Sequence, residues 1–174
     1  MKRLIRVNCT LCLLAALAVL AGCERLTGRN DLGPMPKAPE LTAAGWVNGT
    51  GPSAAEMAGK VVVIDVWAFW CGPCQRLAPS LVQTYQKYKD RGVLFVGLTP
   101  DGGAQVDQVK AFVDRYSIPW PNGYEASGTL RALGVRYFPS LFVVGTDGRI
   151  VWQNEMGGSL EQAIDAALAA GRGV

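Results

Sequence analysis

From Lys60 onward the chain alternates short apolar runs with stretches whose apolar residues recur every three or four positions. "VVVIDVWAF", Val61 to Phe69, is a continuous β-branched and aromatic run interrupted by one acid, Asp65. It predicts a central strand buried on both faces. Cys71 to Asp90 carries Leu77, Leu81, Tyr85 and Tyr88 at helical spacing, with Gly92 placed to cap the end. "VLFVGL" is a second apolar strand, and Gln105 to Tyr116 sets Val106, Val109, Phe112, Val113 and Tyr116 on one helical face. Residues 117 to 134 are less regular, with a short strand around Pro119 to Tyr124 and a short helix from Ser127 to Leu133. "SLFVV" and "IVWQ" then flank "GTDG", whose Asp147-Gly148 is a hairpin signal, and Leu160 to Ala170 forms the last helix. This βαβ alternation predicts an α/β domain with a largely parallel sheet.

Upstream of Lys60 the pattern fades. Ser53-Ala-Ala-Glu56 has the spacing of a capping box before Gly59, and Asn48-Gly49-Thr50 reads as a turn. The folded part is expected to run from Leu41 to Val174. Residues 23–40, rich in Pro, Gly and charge, read as a flexible tether.

The remaining apolar stretch, Leu11 to Leu20, changes the picture of where the domain resides. It follows a basic start and ends in small residues, so residues 1–22 have the parts of an export signal. It is too short to span a bilayer, which needs about 20 apolar residues. "LAGC", Leu20 to Cys23, resembles the bacterial lipobox, which implies cleavage before Cys23, lipidation of Cys23, and a domain held on a membrane in the bacterial cell envelope, facing the periplasm or extracytoplasmic side. Without Lys2, Arg3 and Arg6, the 17 basic residues fall to 14, equal to the 14 acidic ones. A neutral domain offers no footprint for nucleic acid.

Of the five cysteines, Cys9 and Cys12 fall in the signal and Cys23 in the lipobox, which leaves Cys71 and Cys74. A structural zinc site takes four ligands, and the chain has no histidine and no further cysteine to complete one. No metal or other cofactor is expected. A permanent staple stays open, although so short a loop removes little unfolded-state entropy. The other reading is a pair that works by being oxidised and reduced.

Asp65-Val-Trp67-Ala68-Phe-Trp70-Cys71-Gly72-Pro73-Cys74 resembles the thioredoxin active-site segment, and Pro79 stands where that family has a proline within the helix. "GVRYFPSLFVV", Gly134 to Val144, is similar to the family's segment around a cis-proline, here Pro139, and Gly157 to the glycine lining its peptide groove. The resemblance covers about residues 60 to 170. Together with the signal, the lipobox and the stretch before Pro139, it is most similar to the TlpA and ResA type. It implies a thioredoxin-like fold, a central mixed β-sheet flanked by helices with an insertion before the cis-proline. It also implies a thiol-disulfide oxidoreductase that reduces disulfides of exported proteins, including in cytochrome c maturation, and is itself re-reduced by a membrane thiol electron donor. Trp70, Gly72, Pro73, Phe138, Pro139 and Gly157 would contact substrate. The chain departs from the type at Asp65, where many TlpA-like proteins carry Asn, and at the bulky Tyr137 and Phe138.

The chemistry also follows from the residues. A thiolate attacks a disulfide, and a helix start stabilises the charge on Cys71, which makes it the nucleophile. Cys74, one turn on, would resolve the mixed disulfide. Pro73 removes a donor that the first turn leaves unpaired, and Gly72 keeps the approach open. Burial should raise the pKa of Asp65 and suit it to exchange a proton with Cys74 through water; a carboxylate bonded to backbone amides is the alternative. Trp67 is expected in the core and Trp70 at the surface. A thiol peroxidase would want a hydroxyl residue where Ala68 stands. A disulfide oxidant or isomerase of the same fold, or a copper- or partner-binding lipoprotein, are the other readings.

Overall fold

The computed structural model describes residues 36–172; the signal, the lipobox cysteine Cys23 and most of the tether lie outside them. Six strands, β1 (Gly45–Val47), β2 (Val61–Val66), β3 (Val93–Leu98), β4 (Asn122–Tyr124), β5 (Ser140–Val144) and β6 (Ile150–Gln153), form one sheet in the order β1-β4-β3-β2-β5-β6. Five helices accompany them: α1 (Ala54–Met57), α2 (Gly72–Tyr88), α3 (Val106–Arg115), α4 (Ser127–Ala132) and α5 (Leu160–Gly171).

The sheet is mixed rather than largely parallel. The βα units make β2–β3 and β3–β4 parallel, whereas the Asp147-Gly148 hairpin sets β6 antiparallel to β5, β5 runs antiparallel to β2, and β1 antiparallel to β4. β1 carries no alternation in its three residues and is defined only by distant partners in β4, such as Trp46 opposite Gly123. The chain already engages the hairpin at Lys37, which bridges Arg149, while the Ala38 amide donates to the Gly148 carbonyl.

β2 is buried along its whole length because both faces of the sheet are covered. Val61 and Val63 point into a core shared with Leu81 and Tyr88 of α2, Val109 and Phe112 of α3, and Ile164 of α5. Val62, Ile64 and Val66 face the opposite core, with Leu41, Leu130 of α4 and Phe142. The run that predicted β2 continues to Phe69, yet the strand stops at Val66 and residues 67–70 form a loop. Its partner β3 ends at Leu98, opposite Val66, and hydrogen bonds described below take over. The predicted helix from Cys71 to Asp90 is α2 followed by a 3-10 turn, Lys89–Arg91, with Gly92 left-handed at φ 77°. The capping box of Ser53 and Glu56 is formed at α1, and a second, Ser159 with Gln162, opens α5. Asn48 sits at φ 59° in the expected turn, its side-chain amide donating to the Ile118 carbonyl. Between β3 and Pro139 lie α3, β4 and α4.

Candidate active site

The loop from the end of β2 into α2 brings the two remaining cysteines together. Cys71 is the N-cap of α2, in extended conformation, and forms a disulfide with Cys74 across a Cα–Cα distance of 5.3 Å. The Cys71 sulfur accepts a hydrogen bond from the Cys74 amide at 3.1 Å, as an oxygen does at an ordinary N-cap. The first-turn N–H groups and the helix dipole are therefore aimed at the sulfur on which negative charge would develop. Burial barely separates the two cysteines, at 5% exposure for Cys71 and 3% for Cys74. What distinguishes them is the helix end at Cys71.

Pro73 occupies the first turn, as expected. A Cβ at Gly72 would meet only the Arg76 guanidinium, at an ordinary 3.6 Å, so packing alone does not demand glycine there. Pro79 lies inside α2, where it lacks the N–H that would reach the Gln75 carbonyl.

Asp65 follows Val61 and Val63 at period two, on the face of β2 whose core includes both cysteines. It pairs in register with Gly97 of β3 and Leu141 of β5. Burial pushes its carboxyl up to about 7, and no partner among the described residues offsets that cost of charging. The alternative of a carboxylate bonded to backbone amides is thus not what the structure contains.

Trp67 is in the core. Its ring stacks on Phe112 at 4.1 Å and its Nε1 donates to Asn122 Oδ1 at 3.0 Å. Trp70 is 59% exposed and meets Phe138 edge-on at 5.8 Å. The Phe138–Pro139 bond is cis. Trp70, the disulfide and the cis-proline loop thus gather on one side of the molecule, at the carboxyl end of β2. Gly157 is exposed, at φ 76°, and lines a groove of about 400 Å³ between β6 and α5 with Val151, Trp152 and Ala163.

One residue of the site escaped the sequence. Asp101, 7% exposed, accepts from the Phe69 amide (3.2 Å) and the Thr99 hydroxyl (3.0 Å) through Oδ2 and from Trp70 Nε1 (3.0 Å) through Oδ1. With Gln75 Nε2 donating to the Phe69 carbonyl, both backbone polar groups of Phe69 are held just ahead of Cys71. In the sequence Asp101 is only an acid in "TPDGG", and its donors at Phe69 and Trp70 lie more than 30 positions away.

The family model described as Redoxin matches residues 36–168. Among curated proteins, the thiol-disulfide oxidoreductase ResA of Bacillus anthracis is 34% identical over 103 residues, which cover 56% of this chain and 56% of that one. Protein DipZ of Mycobacterium bovis is 32% identical over 146 residues, covering 76% of this chain and 20% of DipZ. The chain spans about half the length of the ResA proteins it matches. Among solved structures, a Chlorobium tepidum protein provisionally assigned as a thiol:disulfide interchange protein DsbE superposes with a TM-score of 0.67 at 30% identity, covering 79% of this chain and 99% of that one. These similarities agree with the resemblance read from residues 65–79 and 134–144, and the fold is thioredoxin-like.

Proposed function

The chain belongs to the Redoxin family, and on that premise we propose that it is a thiol-disulfide oxidoreductase that reduces disulfides of exported proteins, anchored outside the cytoplasm through a lipid on Cys23. The observation that carries this reading is the pair itself: two cysteines bonded across the first turn of α2, with a helix amide donating to the sulfur of the first.

In the reduced protein the Cys71 thiolate attacks one sulfur of a partner disulfide. That S–S bond breaks, a mixed disulfide forms, and the departing partner sulfur takes up a proton. The Cys74 thiol then gives its proton to the Asp65 carboxylate through water and attacks the Cys71 sulfur. The second partner thiolate leaves, and the Cys71–Cys74 disulfide closes. The partner has gained two electrons and this chain has lost two, so a membrane thiol donor must return them. An acid titrating at about 7 is half ionised at neutral pH and can both take and return a proton. Trp70 and Phe138 offer the apolar rim on which a partner lands. The export signal and lipobox in the sequence support an extracytoplasmic setting, in which cytochrome c maturation is one place for such a reductase.

Insulin reduction tests the reading. Wild-type protein with dithiothreitol should precipitate insulin chains, Cys71→Ser should abolish this, and Cys74→Ser should accumulate mixed disulfides visible by mass spectrometry. Catalysis that survives Cys71→Ser would overturn it.

A further inference from the structure

The β5–β6 ladder ends at the pair Phe142–Gln153. Past that point the β6 chain turns into the short 3-10 segment Asn154–Met156 and stops offering backbone groups to β5. The Asn154 side chain takes their place. Its Oδ1 accepts from the Leu141 amide at 3.0 Å, and its Nδ2 donates toward the Pro139 carbonyl at 3.4 Å. One primary amide thus meets a donor and an acceptor two residues apart on one strand edge, in place of the C=O and N–H groups that successive peptide units of a longer β6 would present.

The anchored segment leads directly from the disulfide rim. Phe138, edge-on to Trp70, precedes Pro139, and the Ser140 hydroxyl donates to the Tyr137 carbonyl at 2.7 Å. The Tyr137 hydroxyl also lies against the Glu155 carboxylate, which holds its pKa above the ordinary phenol value. Residues 154 and 155 therefore grip residues 137–141 at both ends. Among the described residues no hydrogen bond takes the amide or carbonyl of Phe138 itself, so its backbone is available to an incoming chain.

We propose that Asn154 is a positioning residue that sets the Phe138–Pro139 backbone for pairing with an extended polypeptide, and so selects protein disulfides over small ones. This rests on the reading that the pair exchanges with protein disulfides. A small aromatic disulfide needs only the Cys71 sulfur, whereas a polypeptide also needs a backbone edge held at a fixed angle.

The test uses the full chain, reduced, with two oxidants: insulin and 5,5′-dithiobis(2-nitrobenzoate). Asn154→Ala should slow the reaction with insulin about tenfold, the loss of two modest hydrogen bonds, through a higher KM. Its rate with the small disulfide and its reduction potential should match wild type. Asn154→Asp, which keeps the acceptor for Leu141 but not the donor for Pro139, should fall between and serves if the alanine variant does not fold. Equal slowing with both oxidants, or none with either, would overturn the proposal. If wild-type protein reduces the small disulfide but not insulin, the functional reading fails first, before any variant is compared.

Discussion

Asp65 is the buried group whose ionisation falls nearest neutrality. Its carboxyl is raised from an ordinary 3.8 to about 7 by burial, so the folded chain keeps a proton that the unfolded chain releases. Its contribution is therefore favourable below about pH 4 and is lost as pH rises toward 7. Asp65→Asn, which mimics the protonated acid, should raise stability at pH 8 by on the order of 4 kcal/mol and leave it nearly unchanged at pH 4, read by urea denaturation at both. An equal effect at the two values would refute the burial argument. Asp101 calls for a different experiment. Truncation to alanine strands a backbone amide, an indole N–H and a hydroxyl, at a cost of about 2–3 kcal/mol, and frees Trp70 to move, which fluorescence anisotropy would register. Asp65 could be singled out in the sequence because an acid within an apolar strand is conspicuous. Asp101 could not, since its importance lies in donors brought to it by folding.

At the level of elements, what the sequence disclosed was local periodicity. β2, β3, α2, α3, the β5–β6 hairpin and α5 each carry their own pattern, and the structure places them within a few residues. The misplacements have one cause, competition from non-local bonds: the apolar run through Phe69 would have extended β2, but Asp101 takes the Phe69 amide and the chain turns toward Cys71. β3 supplies a case in which neighbouring elements depend on a missing side chain. A Cβ at Gly97 would come within 1.8 Å of Asn122 Oδ1, the atom that accepts from Trp67. Gly97→Ala should therefore break the Trp67–Asn122 bond and destabilise the protein by about 1–3 kcal/mol, with a shift of the buried tryptophan emission. Ser159→Ala at the cap of α5, by contrast, should cost about 1 kcal/mol and leave exchange kinetics untouched, since the hydrogen bonds of this cap stay within Ser159 and Gln162. Matched denaturation and insulin assays on the two variants separate these effects.

At the scale of the molecule, a sheet covered on both faces presents its chemistry where the central strand ends and the next helix begins. There β2 delivers Asp65, the loop delivers Trp70 and Cys71, and β5 starts at the cis-proline. Motif order made the thioredoxin-like fold and the cysteine pair legible, but the grip of Asn154 on β5 depends on how the strands register, which no local pattern encodes. The most direct measurement is the reduction potential of the Cys71–Cys74 pair in equilibrium with glutathione or dithiothreitol buffers. A reductase supplied by a membrane donor should give a value near about −270 mV. A value near about −120 mV would contradict the proposed direction and make the protein an oxidant of exported chains.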